Sequence, residues 1–158
     1  MRKISLVAAL VAASMLLTGC GGGENSSSGS TAVSEKTITE KTAELLSTVD
    51  FPEMAEVPAD KLMVYYKLDE AIINEFSAYV AGAGVYPDEF GIFVTKDEEA
   101  AATVKERLEE RVEKQRKTYA DYSPDEMYKF DDHFVAVDGN VVCFAVCADN
   151  STARDILS

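Results

Sequence analysis

Histidine occurs once in these 158 residues, cysteine three times, and acidic side chains outnumber basic ones 28 to 15. Each shortage excludes a class of function. A closed zinc site wants four nitrogen or sulfur ligands at short spacings, and one imidazole with scattered thiols does not supply them. A Ser-His-Asp arrangement would have to use His133, which follows Asp131 and Asp132, yet no Gly-x-Ser-x-Gly elbow is present. The formal charge of −13 argues against nucleic acid, whose phosphates want a basic footprint, and against a domain lying flat on anionic lipid. The acidity is spread along the chain and reads as a solvated surface that resists association. No catalytic, cofactor-binding or metal-ligating residue is assigned from the sequence.

Long apolar runs are also missing. Ile4 to Leu17 is uncharged and apolar, but falls short of the roughly 20 residues a membrane-spanning helix needs. Preceded by Arg2 and Lys3 and followed by Leu17-Thr18-Gly19-Cys20, it has the three-part form of a signal peptide over residues 1–19 ending in a lipobox. Small residues before the cysteine admit a peptidase, and the Cys20 thiol is the expected acceptor of a diacylglyceryl group. Acyl chains contribute about 0.8 kcal/mol per buried methylene, and two chains anchor stably where one is marginal. The expected location is thus the extracytoplasmic face of the cell membrane, with the protein anchored there and not spanning it. Residues 20–36, rich in glycine and serine from Gly21 to Ser30, read as a flexible tether that would hold the domain about 20–25 Å from the head groups.

Residues 37–158 are enough for one core and read as one α+β domain. Thr37-Ile38-Thr39-Glu40 has capping-box spacing and predicts a helix over about 38–49. Pro52 and Pro58 bracket an extended connection, and Asp60 to Tyr66 forms a short helical turn. Strand formers run from Phe76 to Ala81 and from Glu89 to Thr95, joined through Gly82-x-Gly84. Two glycines followed by a second strand describe a hairpin loop, not a dinucleotide fingerprint.

Asp97, Glu98 and Glu99 open a long helix whose inward positions are Ala101, Val104, Leu108, Val112, Gln115 and Tyr119. Its charged remainder, with Glu110 four before Lys114 and Glu113 four before Lys117, reads as a solvated face. Ser123-Pro124-Asp125-Glu126 restarts a helix with Ser123 as cap. His133 to Val137 and Val141 to Ala148 form a hairpin about Asp138-Gly139-Asn140, and Ser151 to Leu157 a closing helix. The expected architecture is a four-stranded, mostly antiparallel sheet made of two strand-turn-strand-helix units, with helices packed on one face. A shift of 52 residues aligns Asp97 with Asp149, Val94 with Val146 and Ala101 with Ala153, too few matches to establish a duplication.

Cys143 and Cys147 stand four apart on one strand, hence on one face and about 13 Å from each other. That separation excludes a mutual disulfide, and they read as buried thiols. The acid pairs Asp88-Glu89, Glu98-Glu99 and Asp131-Asp132 suit no calcium loop pattern. Glycoside hydrolysis would need two carboxylates about 5–9.5 Å apart in a cleft.

The run Phe51-Pro52-Glu53-Met54 through Val57-Pro58-Ala59-Asp60-Lys61-Leu62, the Gly82-x-Gly84 loop with Asp88-Glu89, the charged helix and the Ser123-Pro124 restart together resemble domain of unknown function 4358, over about residues 35–157. The resemblance implies a short lipoprotein on the outer face of a single-membrane cell, and brings no activity or site residue with it. The reading of function is a non-enzymatic binding or accessory module of the cell envelope, meeting an envelope protein or a small ligand. The alternative is a small carboxylate-dependent cell-wall or polysaccharide hydrolase. An enzyme should gather acids of raised pKa in a cleft, and a binding module should present a groove or apolar patch without them.

Overall fold

A computed structural model describes residues 36–158. The expected signal peptide over 1–19, Cys20 and all but the last residue of the 20–36 tether lie outside the described residues.

The first helix, α1 (Ile38–Thr48), opens on the capping box its sequence encodes. The Glu40 N–H donates to Thr37 Oγ1 at 3.2 Å, and the Thr37 N–H donates back to Glu40 Oε2 at 2.8 Å. There follow β1 (Met54–Glu56), a turn of 3₁₀ helix at Ala59–Lys61, α2 (Leu62–Tyr66), a second such turn at Glu70–Ile72, and β2 (Ile73–Ala81). The chain continues through β3 (Glu89–Thr95), α3 (Glu98–Tyr122), a 3₁₀ segment at Pro124–Phe130, β4 (Phe134–Asp138), β5 (Val141–Val146) and α4 (Asn150–Leu157).

The strands make one sheet in the order β1-β2-β3-β5-β4, with every neighbouring pair antiparallel. The α+β class and the two hairpins agree with expectation, but the strands number five and not four. The extra strand is the three-residue β1, inside what the sequence shows as an extended connection between prolines. It pairs only with β2, Met54 facing Ala81 and Glu56 facing Tyr79, and prolines on both sides suit an edge strand. Three residues are too few to show a period.

The helices also cover both faces and not one. Along β3 and β5 alternate side chains point to opposite sides. Phe93, Val142, Phe144 and Val146 pack with Val104 and Leu108 of α3 and Tyr66 of α2. Phe90, Ile92, Cys143 and Ala145 pack with Leu45 and Val49 from α1 and Ala153 and Leu157 from α4. Strands covered twice read as unbroken apolar runs, which is what Val141 to Cys147 shows.

Gly91, central in β3, permits this packing. A Cβ there would lie 3.0–3.1 Å from atoms of Phe93, Ala78 and Phe144. Gly139 takes φ +54° in the two-residue turn between β4 and β5, a conformation open to glycine at little cost. Asp97 and Asp149, aligned by the internal shift, are the N-caps of α3 and α4, accepting from the Ala100 and Thr152 N–H groups.

Ser123 departs from expectation. Its side chain caps nothing, and its N–H donates to Tyr119 O at 2.8 Å to close α3, while the chain tightens into 3₁₀ turns after Pro124. No helix among the described residues is long and apolar enough to cross a membrane.

Candidate functional site

The charged face of α3 is not uniformly solvated. Arg111, read from the sequence as part of that face, lies across the buried start of β3. Its Nε donates to Glu89 Oε2 at 2.7 Å and its Nη1 to the Tyr65 carbonyl at 2.7 Å. With the Gln115 amide oriented to suit its partners, its nitrogen donates to Glu89 Oε1 at 2.8 Å and its oxygen accepts from Arg111 Nη2 at 3.0 Å. The guanidinium also stands 4.9 Å from the Tyr66 ring centre and 5.5 Å from that of Tyr65, within cation-π range.

Glu89 is 1% exposed. Burial raises its carboxyl pKa, with Arg111 partly offsetting that rise. On Arg111 loss of hydration is again the largest single influence and pulls its pKa down, but the Glu89 carboxylate and its hydrogen bond, with Tyr66 and Tyr65, together raise it and hold the guanidinium charged. Desolvation is thus the largest influence on both partners, and only on the cation do the opposing attractions together exceed it.

Next in sequence, Asp88 is equally buried, and its carboxyl is also raised by burial against the pull of Lys129. Lys129 Nζ stands 2.6 Å from Asp88 Oδ2 and 2.7 Å from Glu126 Oε2. Above this pair the Tyr119 hydroxyl lies 2.9 and 2.7 Å from the Gly84 and Tyr86 carbonyls and can donate to either. The Gly82-x-Gly84 loop thus serves as the β2–β3 hairpin connection pinned to α3.

Between α2 and α3, Tyr66, Arg111, Gln115 and Tyr119 help to line a groove of about 270 Å³, with Val64, Tyr65, Lys67, Arg107, Glu110, Lys114 and Thr118 around it. The expected pairs of Glu110 with Lys114 and Glu113 with Lys117 are not among the ion pairs of the described residues. Glu110 turns instead to Arg107 at 2.9 Å and Lys67 at 3.8 Å, across the mouth of the groove. The sequence offers little warning, because Arg111 has the same helical neighbours as a solvated residue. Its one signal is that Arg111 lies three residues after Leu108 and four before Gln115, on the border of the inward stripe.

Other candidates lie apart from this groove. His133 borders an open hollow of about 750 Å³ with Asp132, Asp149, Ser151 and Arg154. Its Nδ1 is 2.6 Å from the Phe130 carbonyl, and no hydroxyl is hydrogen-bonded to it among the described residues. Cys143 and Cys147 are buried free thiols on the face covered by α1 and α4. Burial raises both, Cys147 to about 11, which leaves them poor nucleophiles. No group of three or more metal-ligating side chains forms among the described residues. Cys20 lies outside them.

The fold and groove define a class: a small α+β domain with an antiparallel sheet covered on both faces and a cation-lined groove along the C-terminal half of its longest helix. A family profile described as "Domain of unknown function (DUF4358)" matches residues 47–147, and the chain belongs to that family. No curated protein and no solved structure matches it.

Proposed function

We propose that this protein is a non-enzymatic binding module of the cell envelope, anchored on the outer face of the membrane through a diacylglyceryl group on Cys20, with the groove between α2 and α3 as its binding site. The observation that carries the reading is the concentration of charge there. Lys67, Arg107, Arg111 and Lys114 meet around one groove in a chain whose formal charge is −13. A groove framed by tyrosines and cations suits a small ligand with acidic groups, as small-molecule sites combine apolar walls with a few placed polar groups.

The test is thermal unfolding of the lipidated protein in neutral detergent against a panel of small acids, neutral sugars and cations. Stabilisation by acids, lost in Arg107→Glu, supports the reading. Stabilisation by neutral sugars or cations only would overturn it. Membrane attachment has its own test: Cys20→Ala should release the protein into the medium, and unchanged membrane retention would remove the anchor.

The hydrolase reading keeps one observation in its favour. Asp88 and Glu89 are adjacent carboxyls of raised pKa near a groove, as a general acid would require. Against it, each is already engaged by a cation at hydrogen-bonding distance. A hydrolase would release product from wall polysaccharide and lose that activity in Glu89→Gln.

A further inference from the structure

We infer that the groove between α2 and α3 binds a small, diffusible phosphate monoester, a deepening of the binding-module reading above, on which it rests. Four observations converge. Four cations face two carboxylates, Glu89 and Glu110, in and beneath the groove, leaving two positive charges for a dianion. Arg107, Arg111 and Lys114 follow one another at four and three residues along α3, so their Cβ atoms stand about 5–6 Å apart on one face. A single tetrahedral group carrying both charges matches such a stripe, and lysine binds phosphate as a point charge without the planar geometry a carboxylate rewards. Lys114 takes no part in an ion pair among the described residues.

The third observation is Tyr66. It is 1% exposed, it lines the groove, and its hydroxyl has no hydrogen-bond partner among the described residues. A buried hydroxyl left unpaired is costly unless something supplies the bond.

The fourth is Lys67, at the C-terminal end of α2. It holds φ +55° and is the one non-glycine residue with positive φ among those described. Its N–H donates to Met63 O and the Leu68 N–H to Leu62 O, the helix-ending arrangement in which glycine usually stands. Backbone strain of this kind collects at ligand sites, and here it places an ammonium at the groove's lip where glycine would place nothing. The volume of about 270 Å³ sits at the small end of ligand sites, which suits one ester group and not a polymer. The strong negative charge of the remaining surface disfavours approach to an anionic bilayer, so the source is a free ester and not a lipid head group.

The probe is phenyl phosphate, added to the lipidated protein in neutral detergent and followed by calorimetry, with sodium benzoate and phenyl sulfate at equal concentration as controls. Saturable binding is expected, at least tenfold tighter than either singly charged control. Lys114→Glu should weaken it at least tenfold with unchanged thermal unfolding of the unliganded protein. Lys67→Gly should weaken it severalfold while raising thermal stability, a combination that a purely structural lysine does not give.

Equal affinity for benzoate or phenyl sulfate would overturn the phosphate assignment while leaving the groove a binding site. Absence of binding by all three to a folded protein, or binding indifferent to Lys114→Glu, would overturn it outright. Sedimentation with phosphatidic acid vesicles in preference to phosphatidylcholine vesicles, competed by phenyl phosphate, would overturn the assignment to a diffusible ester.

Discussion

The two faces of the sheet are built from the same strands and are held together differently. Against α1 and α4 the core is Leu45, Val49, Phe90, Ile92, Cys143, Ala145, Cys147, Ala153 and Leu157. Against α2 and α3 the aromatic cluster of Tyr66, Phe93 and Phe144 continues into the buried Glu89–Arg111 pair. Both faces exclude water, but the α1 and α4 face does so with an apolar cluster in which the buried polar side chains, Thr42 and Asn150, are hydrogen-bonded, whereas the α3 face carries Glu89 and Arg111 against its ring cluster. A buried ion pair is weak evidence for stability, because desolvation consumes much of the attraction. The contrast therefore separates what the fold needs from what the groove needs: the Leu45 cluster shows that this sheet can be covered by helices through apolar packing.

The largest effect that would break the contrast is expected at Arg111. Arg111→Ala leaves the Glu89 carboxylate buried and unpaired, at a cost of about 3–5 kcal/mol near neutral pH. The cost should depend on pH, with a sign set by Glu89. Its folded-state pKa is already raised by burial, and Arg111 is what restrains the rise. Losing Arg111 lifts it further, so the folded variant takes up a proton before the unfolded chain does. The penalty is fully present above the folded pKa and shrinks as pH falls through it. Urea unfolding at about pH 7.5 and about pH 5 measures this, and an equal penalty at both would mean that Glu89 does not govern the site.

On the opposite face Leu45→Ala should cost about 2–5 kcal/mol, the usual range for emptying a buried aliphatic site. Leu45 is completely buried and its cluster neighbours are apolar, so the same urea experiment should give nearly one value at both pH values. A strong pH dependence would erase the distinction between the faces.

Gly91→Ala sharpens the contrast at smaller scale. The added methyl would enter the α3 side at 3.0–3.1 Å from Phe93, Ala78 and Phe144, and overpacking of this kind costs about 1–3 kcal/mol. A neutral result would show that the ring cluster has slack.

How much of this could be read from residues follows the same division. The α1 cap, the two hairpins and the inward stripe of α3 were legible because each depends on neighbours within a turn or a pleat: Thr37 with Glu40, Asp138 with Gly139, Val104 with Leu108. The second face was half visible, since an unbroken run such as Val141 to Cys147 implies cover on both sides, but the pattern does not say which helices supply it. β1 was hidden by brevity. The groove was hidden for a deeper reason: Glu89, Arg111 and Lys67 are brought together only by the packing of α2 and α3 against β3. A charged residue bordering a helix's inward stripe has the same local spacing whether it faces water or a buried carboxylate. Tyr66 likewise reads as core, and nothing in its neighbourhood shows that its hydroxyl is unpaired.

The smallest expected change in stability comes from the most drastic chemical change. Replacing the pair together, Glu89→Leu with Arg111→Met, removes both buried charges and both desolvation costs. Such exchanges range from neutral to about 1–4 kcal/mol stabilising, so the double variant should unfold near or above the wild type although Arg111→Ala alone is severely impaired. Glu89 and Arg111 form one network, so their effects should be strongly non-additive. Binding should move the other way. The bond from Arg111 to the Tyr65 carbonyl ties α2 to α3, and without it the remaining cations, Lys67, Arg107 and Lys114, lose their spacing while the net charge around the groove stays the same. A double variant that is as stable as the wild type and binds acids weakly would place the purpose of the buried pair in the groove. One that is destabilised by as much as Arg111→Ala would mean that the α3 face needs its charges to fold, and the contrast with the α1 and α4 face would then be one of construction only.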